Sequence, residues 1–308
     1  MVKLKEQRLK WALRQTEGKN RDLAAVCGIT IRRFQQLKAM HRKTGELPML
    51  NPNRRPRTAL TEGQKQLIRK AHTESKIGAA VSLRLYIQKY YRVAIAHNKI
   101  HAFLLKEGIA KEDPKKQKQR TYCRYERAHS FSLGHMDYHE SRAIPGKQVI
   151  VWQDDASRFI LAGLECDEAT TENARTVVLA AKAAAQEYAS FLRELNTDKG
   201  SQFYANIQDK YGVRAVSEFE QFLEKEGITH IPSRRRHPQT NGKEERWFRT
   251  YEERRKEFST LEAFIAWYNN RIHLGLSRKE GITPHEAITR KLQQESLLGL
   301  FLRRWDDE

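Results

Sequence analysis

The apolar positions of this chain follow a helical period up to about residue 110 and a strand-and-helix alternation after about residue 130. Residues 5–50 read as helices separated by short breaks. One starts at Asn20-Arg21-Asp22, with Leu23, Ala24, Ala25 and Val26 as its expected inner face. Cys27-Gly28-Ile29-Thr30 breaks it, and a further helix runs from Arg32 to Arg42 with Phe34, Leu37 and Met40 at helical spacing. Thr61-Glu62 opens a second set: a helix marked by Leu67, Ile68 and Ala71, another from Leu83 to Tyr91, and a third from His97 to Glu107 that stops at Gly108.

Beyond residue 130 the reading is strand Phe131–Tyr138, strand Gln148–Gln153, a turn at Asp155-Ala156-Ser157, and strand Arg158–Cys166. An Ala-rich helix Thr171–Ala189 follows, capped by Thr170 or Thr171. Strand Phe191–Thr197, helix Ser217–Glu226, strand Ile228–Pro232 and helix Asn241–Phe258 complete the series. The order β-β-β-α-β-α-β-α predicts an α/β core, a mixed sheet with helices on its faces, preceded by all-α domains. The implied organisation is a helix-turn-helix domain at 1–50, a basic Pro/Arg linker at 51–60, a second helical domain at 61–110, a basic linker at 111–129, the core at 130–260 and a helical tail at 261–308.

Charge separates these parts. Residues 1–128 carry 31 Lys and Arg against 10 Asp and Glu, a net of +21, whereas residues 129–308 carry 26 against 28, a net of −2. A surface as basic as the first half attracts polyanions, and nucleic acid is the commonest of these in a cell. A short helix, a Gly-containing turn and a second helix rich in Arg and Gln form a helix-turn-helix pattern. Arg32, Arg33, Gln35 and Gln36, with Lys38, are its candidate groove-facing residues, because forked donors read guanine and adenine edges. Asn98 and Lys99 hold the equivalent place in the second helical set, and Arg54, Arg55 and Arg57 of the linker suit a minor groove.

Cys27, Cys123 and Cys166 lie far apart with no CxxC pair, which argues against a structural zinc site and suits a reducing compartment. The start, Met1-Val2-Lys3-Leu4-Lys5-Glu6, has no apolar signal core, and no apolar run approaches bilayer length. The expectation is a cytoplasmic, nucleoid-associated protein with no membrane and no small-molecule cofactor.

Candidate chemistry rests on carboxylates in costly places. Asp137, in Gly134-His135-Met136-Asp137-Tyr138, falls inside the first core strand, where an Asp is expensive unless paired or metal-bound. Asp198 ends a strand and precedes the turn Lys199-Gly200-Ser201-Gln202. Glu244 and Glu245 open the helix that follows the polar loop His237-Pro238-Gln239-Thr240-Asn241-Gly242. Carboxylates converging from distant segments suit Mg²⁺, and a pair of such ions about 3.5–4 Å apart activates an oxygen nucleophile and neutralises a phosphorane.

Three segments, His135-Met136-Asp137, Thr197-Asp198-Lys199-Gly200-Ser201-Gln202-Phe203 and His237-Pro238-Gln239-Thr240-Asn241-Gly242-Lys243-Glu244-Glu245-Arg246, resemble the signatures of the DDE integrase-core family of insertion-sequence transposases and retroviral integrases. Val151-Trp152-Gln153-Asp154-Asp155-Ala156-Ser157-Arg158 resembles that family's second-strand turn, and Trp267-Tyr268-Asn269-Asn270-Arg271 with Thr283-Pro284-His285-Glu286-Ala287 its tail. The likeness spans about residues 130–290. The helix-turn-helix front resembles the bacterial and archaeal branch, and a retroviral zinc-binding front end is missing. Tyr204–Val216 reads as an insertion relative to the retroviral group.

The resemblance implies an RNase H-like fold, a five-stranded sheet and two Mg²⁺ or Mn²⁺ ions per active site. It implies a DNA transposase that cleaves transposon ends and joins them to target DNA. Asp137 and Asp198 would coordinate the ions jointly. The family pattern sets the third acid four residues after the position of Asn241, at Glu245; Glu244 stands where an apolar residue is usual and remains the alternative. The implied partners are double-stranded DNA (terminal inverted repeats and target) and further copies of the chain, a dimer or larger assembly. The rival readings are an inert DNA-binding regulator derived from a transposase, and an RNase H-like nuclease.

Lys199, Arg234, Arg235, Arg236, Lys243 and Arg249 are candidate phosphate contacts, Arg249 lying one turn after Glu245. Asp154 and Asp155 read as turn residues outside the site. Trp247, Phe248, Trp267 and Tyr268 read as core, Glu252–Glu257 as an exposed helix face, and His135 and His139 as structural histidines.

Overall fold

The computed structural model describes residues 2–47, 59–111, 126–205, 214–233 and 242–306, with the backbone alone at 2–6 and 303–306. Two compact units divide the chain, Met1–Thr61 and Glu62–Glu308.

The first unit holds α1 (Val2–Arg14), α2 (Asn20–Val26) and α3 (Ile31–Thr44). Leu9, Ala12, Leu13, Leu23, Ala24, Cys27, Phe34 and Leu37 form its core. Gly28 takes a left-handed φ of +61° between α2 and α3, a conformation that costs a glycine little. Thr30 then caps α3, its side chain accepting from Arg33 N at 3.3 Å. Ala25, Val26 and Met40, expected inside, are exposed. A seven-residue helix presents a single narrow face, and Leu23 and Ala24 with Cys27 already fill it.

The second unit begins with α4 (Glu62–Ser75), α5 (Ala80–Tyr91) and α6 (His97–Lys106). These helices fasten to the C-terminal part of the same unit: Lys89 pairs with Glu286 at 2.6 Å, and Trp267 Nε1 donates to Ser75 O at 3.1 Å.

The sheet comprises β1 (Gly134–Glu140), β2 (Gln148–Asp154), β3 (Ile160–Cys166), β4 (Glu194–Thr197) and β5 (Thr229–Pro232), in the order β3-β2-β1-β4-β5. The first three pair antiparallel, and β4 and β5 add in parallel on the far side of β1. This is the mixed five-stranded sheet expected of the core.

Helices cover both faces. α7 (Thr171–Glu187, capped by Thr170) and α8 (Glu218–Lys225, with a Ser217–Glu220 capping box) enclose Met136, Ile150 and Trp152 on one side. α9 (Gly242–Arg254) and α10 (Leu261–Asn270) enclose Val149, Val151 and Ile160 on the other, where Trp247, Phe248, Tyr251, Phe264 and Tyr268 pack. Burial of each such large apolar side chain contributes about 1.5–3 kcal/mol. Gly134 is forced by packing: a Cβ there would lie 2.2 Å from the Trp152 ring. α11 (Pro284–Arg290) and α12 (Gln294–Asp306) end the chain. Among the described residues no helix is long and apolar enough to cross a membrane.

The charged run after Glu252 differs from its expected role as a solvated face. Arg255 is buried against Glu165 at 2.7 Å, and Glu252 meets His139 at 2.8 Å. Both partners come from strands far away in sequence, so a local charge pattern carries no sign of them.

Candidate metal centre

Side chains of β1 alternate between the two cores. Met136 enters the α7 side, so His135, Asp137 and His139 face α9. Asp137 is half-buried, and its Oδ1 accepts the Tyr138 amide at 2.8 Å. Parallel pairing of Met136 with Thr197 sets the end of β4 beside it, and Asp198 is the next residue after β4. Asp198 Oδ1 accepts from Gly200 N at 2.8 Å, which turns the chain away from the strand end. Strand ends of this kind are the usual ligand sites of α/β sheets.

The electrostatics of Asp137 record its neighbours. Burial, the charge of Asp198 and the charge of Glu245 together push its carboxyl up to about 7, against the opposing Tyr138 hydrogen bond. Glu245 is exposed on the first turn of α9 and shares a cleft of about 480 Å³ with Asp137, His139, Arg142, Arg249 and Glu252. Glu244, about 100° further round the helix, is 2% exposed, and its Oε1 has no hydrogen-bond partner. Burial, then Asp137, then Asp198 hold the Glu244 carboxyl well above the usual carboxylate range. Four acids from three distant segments therefore share one neighbourhood.

They do not form a closed ligand set: among the described residues no group of three or more His, Cys, Asp and Glu could hold a metal ion. The donor chemistry nonetheless fits a hard divalent cation. Asp137 is destabilised as an anion by two other carboxylates, and a divalent ion relieves that repulsion while taking oxygen ligands.

Of the expected DNA contacts, Arg32, Gln35, Gln36 and Asn98 are exposed. Arg33 and Lys99 are half-buried, and Arg33 donates to Gln36 Oε1 at 3.4 Å. Lys199 lies 5.0 Å from the Tyr204 ring, and Arg249 is exposed on the cleft wall. Lys243 departs from expectation. It folds inward onto Asp155 rather than standing out toward a phosphate, because a fully buried carboxylate draws it there. Arg54, Arg55, Arg57, Arg234, Arg235 and Arg236 lie outside the described residues, as does the loop 237–241.

The two turn aspartates differ sharply. Asp154 serves its own turn, accepting from Ser157 N at 2.7 Å, Ser157 Oγ at 2.6 Å and Phe131 N at 2.7 Å. Asp155 reaches instead to His135 at 2.7 Å, to Lys243 and to the Arg127 amide at 2.6 Å. Burial works to raise its carboxyl, but His135 and Lys243 overcome that and hold it well below the usual range. Two adjacent aspartates at a turn gave no signal in sequence that one of them would do this.

Residues 127–238 match the family model of the integrase core domain. The matched segment contains Asp137 and Asp198 and ends before α9. Among solved structures, the catalytic core domain of BIV integrase is 21% identical, over 51% of this chain and 93% of that one, with a TM-score of 0.38. The simian T-cell lymphotropic virus intasome in complex with PP2A regulatory subunit B56 gamma is 17% identical, over 67% of this chain and 69% of that one, with a TM-score of 0.36. No curated protein matches the chain.

Proposed function

We propose that this chain, whose residues 127–238 match the integrase core domain, is a DNA transposase that cleaves the ends of a mobile element and joins them to target DNA. The observation that carries this reading is the placement of Asp137 within β1 beside Asp198, which follows the end of the adjoining β4, with Glu245 across the cleft that Asp137 lines. Asp137 and Asp198 would hold divalent cations, Mg²⁺ or Mn²⁺, between them, and Glu245 would complete one ion's ligands. The bound ions supply an activated oxygen nucleophile, first water and then a DNA 3′-hydroxyl, and stabilise charge at the phosphorus.

The chain's own residues bring DNA to that point. Arg249, exposed beside Glu245, offers a forked donor to a phosphate entering the cleft. Arg32, Gln35 and Gln36 on α3 present edge-reading groups, and Asn98 starts α6 in the same manner. Joining two ends requires two active sites, so the active form is at least a dimer on DNA.

The test is a strand-transfer assay with DNA flanking this reading frame, purified protein, Mn²⁺ and a supercoiled target. Joined products from terminal sequences alone support the proposal. Cleavage confined to RNA–DNA hybrids, or intact DNA throughout, refutes it. Removal of residues 1–61 should erase the preference for terminal over random DNA while leaving metal-dependent nicking; a truncated protein that still selects its ends would show that recognition lies elsewhere.

A pH dependence follows from Asp137. Its carboxyl titrates near 7 in the folded protein, so below that value a cation must displace a proton to bind. Mn²⁺ affinity without DNA should rise roughly tenfold per pH unit below about pH 7 and level off above it. A flat profile from pH 5.5 to 7, measured by calorimetry, would exclude Asp137 as a ligand.

A further inference from the structure

Asp155 is completely buried at the turn after β2, yet it bonds to the two elements that carry Asp137 and Glu245. His135 Nε2 meets its Oδ1 at 2.7 Å, and His135 stands two residues before Asp137 on the same face of β1. Lys243 Nζ meets the same oxygen, and Lys243 stands two residues before Glu245 in the first turn of α9. Oδ2 accepts the Arg127 amide at 2.6 Å, and the Asp155 amide donates to Leu133 O at 2.9 Å, so the carboxylate is fixed from behind. A second fastening lies beyond Asp137. His139 meets Glu252 at 2.8 Å and stacks on Phe248 with ring centroids 4.7 Å apart. The helix is thus tied to the strand on both sides of Asp137.

Farther along, α9 is held by the packing of Trp247 and Tyr251 and by hydrogen bonds of Tyr251 to Ser141 and Glu165, whereas its first turn, which carries the acids, is fastened through Lys243. A buried ion pair adds little net stability over an apolar substitute, and its best-attested use is to fix register. We propose that Asp155, gripped by His135 and Lys243, is a positioning residue that fixes the first turn of α9 against β1 so that Glu245 reaches the cations held by Asp137 and Asp198. The link to catalysis rests on the function proposed above; the fastening itself does not.

Lys243→Met, Lys243→Arg, Asp155→Asn and the double variant Asp155→Asn/Lys243→Met separate the possibilities. Hydrogen exchange of the amides of residues 246–248, which in an α-helix bond back to the carbonyls of the first turn, should quicken in Lys243→Met, in protein without metal or DNA, with no matching change in the last turn of α9. Unchanged exchange overturns the fastening whatever the enzyme does. In strand cleavage, kcat should fall about 10–100-fold in Lys243→Met, the range found for groups that orient metal ligands, with KM for DNA held within about twofold. Lys243→Arg should recover part of the loss. The double variant should lose no more than the worse single one, since both remove the same link; if Asp155→Asn fails to fold, the Lys243→Met and Lys243→Arg pair carries the comparison. Faster exchange with full kcat would overturn the catalytic link. A raised KM with unchanged kcat and a shallower salt dependence would make Lys243 a DNA contact instead.

Discussion

Asp137→Asn is expected to abolish DNA strand cleavage while leaving DNA binding intact. Asparagine keeps the size and the hydrogen-bond geometry of the side chain but loses the charge that a cation needs. Loss of a shared metal ligand removes several kcal/mol of transition-state stabilisation, roughly a thousandfold or more in rate. The same substitution should make the metal-free protein more stable near pH 8. The folded-state value near 7 lies above the ordinary aspartate value of 3.8, so the contribution of this group is most favourable at low pH and is lost as pH rises through 7. The uncharged amide of the variant escapes that penalty, and its thermal melt at pH 8 without metal should shift upward. Added Mn²⁺ should stabilise the wild-type chain and leave the variant unmoved. A variant that cuts DNA at the wild-type rate would remove Asp137 from the chemistry.

The second large effect separates two neighbours. Glu245→Gln should eliminate cleavage to a similar degree, whereas Glu244→Gln should retain most of it. Glu244 is sealed from solvent beside Asp137 and Asp198, and burial with those two charges raises its carboxyl well above the usual carboxylate range, so a charge there is disfavoured. A glutamine amide keeps nearly the shape of that side chain and brings no charge into the buried position. Glu245 opens onto the cleft, where substrate and hydrated cations have access. Rates measured for both variants in Mn²⁺ decide the matter, and the opposite ranking would transfer the role to Glu244 through a turn of the helix.

Much of this architecture was legible in sequence because the core states its period plainly. β2 reads as an unbroken apolar run since both of its faces are covered, Val149 and Val151 by α9 and α10, Ile150 and Trp152 by α7. Thr170 and Ser217 mark helix starts through bonds they make to their own neighbours, which a local reading detects. Asp137 announced itself as a charge in a central strand. What escaped were features set by contacts across the chain. Nothing near Asp155 names Lys243, 88 residues away, and nothing near Arg255 names Glu165, 90 residues away. The burial of Glu244 rather than Glu245 depends on the rotation of α9 about its own axis, which the packing of Trp247 and Tyr251 against the sheet decides.

Crystals of the protein soaked with Mn²⁺ in the presence of a DNA end, with anomalous scattering recorded at the manganese edge, locate the ions directly. The expected result is a manganese peak beside both Asp137 and Asp198, with a Glu245 oxygen within ligand distance of an ion in the DNA-bound state. Peaks confined to other carboxylates, with Asp137 and Asp198 bare while DNA occupies the cleft, would contradict it.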